Sequence, residues 1–365
     1  MVKKIALFDS EASLGEPQRF LLDLCGGLLV RRWEVTVILG QDGPLHDACL
    51  RRGAAVHVMP CDVTSRGWRD SGRLTRYCLR QRLRCLYAQT PYGALLGGTA
   101  MRLTHGQAYW RLYATEDLAV DARRARWAGQ LCTQVHPAYP EVTQHARTCL
   151  HRRTTVIPMP PAIDLQAFHA SDPPVRQRNA RPVVGLLGDW HAQHGQEVLV
   201  KAFRLLHEGA HGARLRLASV RFASVDERYR SVVVGAIKAA GLADRIIIEG
   251  EVNDLPAFFA QCDILAAPVL GATTGRLALE AAAAGRPLVT SGVPGMRDIV
   301  EDGHTGLLAP ANQPRDLADA LALLIASPAL RSEMGKQARM RAESCYSLET
   351  LLDTLEERFL TATYK

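Results

Sequence analysis

Several things are scarce in this 365-residue chain, and each scarcity removes a class of function. The nine cysteines, Cys25, Cys49, Cys61, Cys78, Cys85, Cys132, Cys149, Cys262 and Cys345, are an odd number without a C-x-x-C pair. That pattern argues against a disulfide framework and a zinc ribbon, and reads as reduced core thiols. No metal site is expected. No apolar run reaches the length of a membrane span. The apolar run Ile5–Phe8 is too short for a signal peptide, and Asp9 ends it. A cytoplasmic protein is the expectation. Short-period repeats and low-complexity segments are missing too.

What is present suits a two-domain globular protein. Hydrophobic residues make up 47% and charged residues 22%, and the length exceeds one ordinary core. The net charge of +7 is unevenly spread: residues 1–165 hold 22 Lys/Arg against 14 Asp/Glu. Much of that excess lies in Arg66–Arg84, with Arg66, Arg69, Arg73, Arg76, Arg80, Arg82 and Arg84. Arg69, Arg73, Arg76 and Arg80 recur at three- or four-residue steps and so line one helical face. With Trp68, Leu74, Leu79 and Leu83 nearby, this face suits an anionic membrane or a phosphate-bearing acceptor, against the plainer reading of a solvated face. No nucleic-acid module accompanies it, so no nucleic-acid partner is expected.

Strand-like runs alternate with helical ones along the chain. Ile5–Asp9, Glu34–Leu39, Ala55–Met59, Cys85–Ala88 and Thr155–Pro158 read as strands, with Pro17–Val30, Pro44–Arg52 and Gly72–Arg84 as helices between some of them. A polar, Pro-bearing stretch breaks the rhythm at 168–181 and reads as a linker. Strands resume at Val183–Gly188, Arg214–Ser219, Arg245–Glu249, Ile264–Pro268, Pro287–Ser291 and Gly306–Ala309. Helices Pro314–Ala326, Pro328–Ser344 and Leu348–Leu360 follow. Such alternation predicts α/β architecture with right-handed βαβ units and parallel sheets. The expected division is a Rossmann-like domain over 1–167, the linker, a second over 182–345, and a final helical segment over 346–365. Two such domains are expected to face each other across a cleft holding the ligand at the strand ends.

The most informative stretch is Pro268–Ser291, PVLGATTGRLALEAAAAGRPLVTS. It reads as a strand end, a Gly/Thr loop, a helix with one Glu in its first turns, and a second strand. That arrangement suits a nucleotide-type ligand at the carboxyl end of a parallel sheet.

Glu280 and the Ala run before Gly285 and Pro287, then Gly295 through Gly303 and Gly306 to Pro310, resemble the retaining glycosyltransferases of family 4, which have the GT-B fold. Gly188–Phe203 and the N-terminal runs Leu14–Phe20 and Gly40–Leu45 are similar to other segments of that family. The resemblance implies transfer of a sugar from a nucleotide-diphosphate donor to an acceptor hydroxyl with retention, needing no metal and no cofactor beyond the nucleotide-sugar substrate. It implies that Glu280 accepts hydrogen bonds from the ribose, and that amides around Thr273, Thr274, Gly275 and Arg276 face the sugar and diphosphate. In the N-terminal domain it points to Gly15, Glu16 and Tyr113 on the acceptor side, and it implies that the final segment 346–365 packs back on that domain. Three donor-site positions depart from the family pattern. The sugar-facing Glu is Ala272, and the Arg and Lys that neutralise the leaving diphosphate are Asp189 and His194. At roughly 1.5–3 kcal/mol for each hydrogen bond to a charged partner, two lost cations cost about 3–6 kcal/mol, on the order of a hundred- to ten-thousand-fold in rate. Arg276 and Arg286 are the nearest replacements, and no side chain is assigned as a general base. Two alternatives stay open here: a non-catalytic GT-B protein partnering an active transferase, and a sugar-nucleotide epimerase using Asp189 and His194.

Overall fold

The computed structural model describes residues 3–61, 67–119, 121–168, 181–208, 212–220, 225–271, 273 and 275–363. Two compact units divide the chain: Met1–Ala162 with Leu348–Lys365, and Ile163–Ser347.

The first unit holds β1 (Lys4–Asp9), β2 (Glu34–Leu39), β3 (Ala55–Val58), β4 (Cys85–Ala88), β5 (Gln107–Leu112) and β6 (Gln134–Pro137). They form one parallel sheet in the order β3-β2-β1-β4-β5-β6. The central strands are apolar because helices cover both sheet faces: every residue of β4 is buried, and all of β1 after Lys4. The core on one face joins the helix Glu16–Val30 to the final helix Leu348–Thr363. Phe359 meets Trp33 edge-to-face at 5.9 Å, and Glu356 takes Lys3 at 2.6 Å and Trp33 Nε1–H at 3.0 Å.

The second unit holds β7 (Val183–Leu187), β8 (Arg214–Val220), β9 (Ile246–Val252), β10 (Ile264–Ala267), β11 (Leu288–Ser291) and β12 (Gly306–Ala309). Its order, β12-β11-β10-β7-β8-β9, repeats the topology of the first sheet. In each sheet the order reverses between the first and fourth strand: β1 and β4 in one, β7 and β10 in the other. Crossover loops leave that point in opposite directions, which opens a crevice at the carboxyl ends.

Three expectations need correction or placement. Thr155–Pro158 lies along β6: the Val135 N–H donates to the Thr155 carbonyl, and the Ile157 and Met159 N–H groups donate to the Val135 and Pro137 carbonyls, each at 2.9 Å. It makes a single bridge, Val135 to Val156, because Pro137 has no N–H to donate back. The arginine-bearing helix runs over Gly67–Gln81, earlier than predicted, and ends where Arg82 turns left-handed with φ 55°, leaving Arg84 outside it. Most of the expected linker, 169–180, lies outside the described residues; Phe168 packs against Phe259 of the second unit.

Candidate functional site in the second unit

Two loops meet at the switch point of the second sheet. One follows β7 and carries Asp189 and His194; the other follows β10 and carries Thr273 and Gly275. The Leu270 N–H donates to the Gln193 carbonyl at 2.9 Å, which binds one loop to the other. Gly195 ends the 3₁₀ turn Ala192–His194 with φ 70°, and a Cβ there would run into the Pro268 carbonyl. Only glycine fits this approach of two backbones. Asp189 is half-buried, and its carbonyl accepts the His191 N–H at 2.8 Å and the Gln196 Nε2–H at 2.6 Å. The His194 ring lies over Gly188, its Nδ1 2.9 Å from where a Cβ would stand.

The β10 loop is pinned from the other side. Thr273 N–H donates to the Pro294 carbonyl at 3.3 Å. Gly275, with φ 63°, sits at the start of the helix Arg276–Ala283, and a Cβ there would lie 2.6 Å from the Gly295 carbonyl. The helix therefore begins with its first N–H groups at the loop, beside the carboxyl end of the sheet. Ala272 and Thr274 lie outside the described residues.

Inside that helix the structure joins two of the predicted residues. Arg276 Nε–H donates to Glu280 Oε1 at 3.0 Å, with both side chains buried. An Arg in the first turn opposes the helix dipole, and the carboxylate one turn on offsets that. Arg286 is not brought to the site. It precedes β11, at the amino edge of the sheet, and donates to the Phe259 and Ala260 carbonyls at 3.2 and 3.4 Å. It caps the end of the helix Leu255–Ala260, so its candidacy as a diphosphate cation is withdrawn.

In the first unit, the predicted residues Gly15, Glu16 and Tyr113 also gather near a switch point. Gly15 is the N-cap of the helix Glu16–Val30 in the loop after β1, and Glu16 places an acid in the first turn. Tyr113 follows β5, and its hydroxyl donates to Gln89 Oε1, at the end of β4, at 3.0 Å. The guanidinium of fully buried Arg111 lies 5.3 Å from the Tyr113 ring and 5.0 Å from Phe20, and donates to the Met159 carbonyl at 2.7 Å. Sequence reasoning missed Asp9, Gln18 and Gln89. The available signal was a lone carboxylate ending an otherwise apolar parallel strand. Among the described residues, no cluster of His, Cys, Asp and Glu suits a metal ion. No helix among them is long and apolar enough to cross a membrane.

Comparison with known proteins agrees with this geometry. The family model described as Glycosyl transferases group 1 matches residues 181–327, which contain both loops. A D-inositol 3-phosphate glycosyltransferase of an Arthrobacter species is 31% identical over 207 residues, 54% of this chain and 48% of that protein. An alpha-D-kanosaminyltransferase of Streptomyces kanamyceticus is 27% identical over 249 residues, 63% of this chain and 62% of that one. The chain spans about half the length of the inositol-phosphate relatives it matches. Among solved structures, Anabaena HepE in complex with UDP and glucose superposes with TM-score 0.81 at 18% identity, over 98% of this chain and 99% of that one. A glycosyltransferase of Rickettsia africae gives TM-score 0.84 at 14% identity, covering 100% and 99%. The fold is GT-B, as the sequence resemblance implied.

Proposed function

We propose that the chain is a retaining glycosyltransferase of the family 4 type, moving a sugar from a nucleotide-diphosphate donor to an acceptor hydroxyl. One observation carries the reading: the loop through Thr273 and Gly275, with the helix bearing Arg276 and Glu280, opens at the β7/β10 switch point within the segment that matches the transferase family. In this reading Glu280 anchors the ribose, and amides at residues 273–276 take diphosphate oxygens. Arg276 supplies positive charge in place of the family's Arg and Lys, which are Asp189 and His194 here. The acceptor hydroxyl attacks the anomeric carbon on the face the diphosphate leaves. The new C–O bond forms as the old one breaks, and the departing phosphate oxygen takes the proton. No metal and no further cofactor enters.

Gly15, Glu16 and Tyr113 belong to the acceptor side. The protein is placed in the cytoplasm, at an anionic membrane or a phosphate-bearing acceptor through the arginine face of Gly67–Gln81. UDP and UDP-glucose are the first probes, because HepE structures hold them. Calorimetry is expected to show binding of a nucleoside diphosphate, and transfer assays release of that diphosphate in the presence of an acceptor. No binding of UDP, GDP or ADP at millimolar concentration would sink the reading. One observation favours a second reading, a non-catalytic partner of another transferase: Glu280 already holds Arg276. Nucleotide binding with no transfer to any acceptor is its signature.

A further inference from the structure

Asp9 closes β1 and is fully buried at the first unit's switch point. Its Oδ1 accepts the Glu11 N–H at 2.9 Å, and its Oδ2 accepts the Gln18 Nε2–H at 3.1 Å. Gln18 is itself buried, and its Oε1 lies 2.9 Å from where a Cβ on Gly15 would stand. The loop between is tied to the next helix as well, since the Leu45 N–H donates to the Ala12 carbonyl at 3.0 Å. Asp9 therefore grips both ends of the loop 10–15, one through a backbone amide and the other through Gln18.

Among the described residues no Lys or Arg forms an ion pair with Asp9. Glu11 faces it from its own segment. From the helix Glu16–Val30 comes Gln18, and from Pro44–Arg51 comes Cys49, which Cys25 faces in turn. Burial pushes the Cys25 thiol up to about 11 and the Cys49 thiol up to about 12, so both stay neutral near pH 7. Arg52, which acts on both thiols, donates to the Leu22 carbonyl at 2.6 Å and stands 3.7 Å from Asp23. At the neighbouring strand end the Ser10 hydroxyl donates to Thr90 Oγ1 at 3.2 Å. A buried carboxyl without a cation is costly, and a residue needed only to fill space would be apolar or an amide.

We propose that Asp9 is a positioning residue that holds the Gly15 loop through two hydrogen bonds, one to the Glu11 amide and one to Gln18. This rests on the proposed reading in one respect, that the loop meets an acceptor. Burial drives the carboxyl up to about 7, against the two hydrogen bonds that favour the charged form. Opening the loop lets water reach Asp9 and returns its carboxyl toward the ordinary value, so the closed arrangement binds the proton more tightly than the open one. The loop is thus held less tightly as pH rises from about 4 to 7.

Hydrogen exchange of the full chain, without donor or acceptor, tests the grip. Protection in a peptide covering residues 10–20, corrected for the intrinsic rate, should fall about tenfold from pH 6 to pH 8, the span over which a carboxyl titrating near 7 loses its proton. A peptide from β2 should not change. In Asp9→Asn the loop should lose this pH response while near-UV circular dichroism shows a folded core; Asp9→Ser serves if the amide variant does not fold. Where transfer is detected, the acceptor KM should rise across the same pH range in the wild type and stay flat in the variant, with donor KM unmoved. A flat wild-type exchange profile, or a response or KM profile that survives in the variants, overturns the proposal. The exchange experiment uses no substrate, so its failure is separate from a failure of the transferase reading.

Discussion

Arg276 and Glu280 stand one helical turn apart, buried together, with Nε donating to Oε1 at 3.0 Å. The cation proposed to face the diphosphate and the carboxylate proposed to face the ribose are therefore one electrostatic unit. Moving either shifts the other.

That coupling sets the first prediction. Glu280→Ala should weaken nucleotide affinity by ~1.5–3 kcal/mol, as for a hydrogen bond to a charged group. It should also lower stability by about 3 kcal/mol, because Arg276 loses this partner in a buried place. The double variant Arg276→Met/Glu280→Ala should regain much of the stability and none of the affinity. Calorimetry and thermal unfolding on all four proteins give the coupling energy directly. Unchanged affinity in Glu280→Ala would remove Glu280 from the site.

A second prediction concerns pH and stability. Burial, with Arg111 and Arg358 nearby, lowers His136 to about 3, so it stays neutral in the fold while the unfolded chain takes up a proton near 6.5. The unfolded state then binds more protons, and stability from this group falls as pH drops from about 6.5 toward 3. Asp9 has the opposite sign. Its raised value means the fold holds a proton that the unfolded chain has lost, so its contribution falls as pH rises from about 4 to 7. The two slopes, each up to about 1.4 kcal/mol per pH unit, oppose each other across the same window. We expect a shallow wild-type profile over pH 4.5–6.5 in urea titrations. His136→Phe should leave a protein that gains stability on acidification, and Asp9→Asn one that loses it. Parallel profiles in all three would refute this assignment.

A third prediction addresses the helix Gly67–Gln81. Arg69, Arg73, Arg76 and Arg80 are all exposed, beside exposed Leu79, while Leu74 and Cys78 are buried beneath. Arg73 Nη1 also donates to the Pro60 carbonyl at 3.1 Å. The triple change Arg73→Glu, Arg76→Glu, Arg80→Glu should abolish sedimentation with vesicles containing phosphatidylglycerol, and 0.5 M salt should weaken it in the wild type. Equal sedimentation of both proteins would leave a solvated face.

Much of the architecture was legible because buried parallel strands are nearly continuous apolar runs. Ile264–Ala267 and Val183–Leu187 are buried throughout and needed no tertiary knowledge. The helix start at Gly67 was not legible, since Asp70 is stabilised by the Tyr92 hydroxyl at 2.9 Å, a partner from another helix. The four-residue spacing of Arg276 and Glu280 was visible in the sequence, but that both are buried together is a property of the fold. Arg286 looked equally available in one dimension, yet it lies at the other edge of the sheet. Asp9 was read only as the end of an apolar run, because burial of a carboxyl is a property of the fold around it.

The final helix, Leu348–Thr363, belongs to the first unit, while residues 163–347 form the second. The second unit is thus an insertion within the first. During synthesis it can complete all its strand pairings before the last helix leaves the ribosome. The first unit must wait, with Trp33 and the inner face of Glu16–Val30 uncovered, until Phe359 and Glu356 arrive to cover them. The N-terminal half is made first and finished last, which makes it the half most exposed to aggregation and chaperone capture during synthesis.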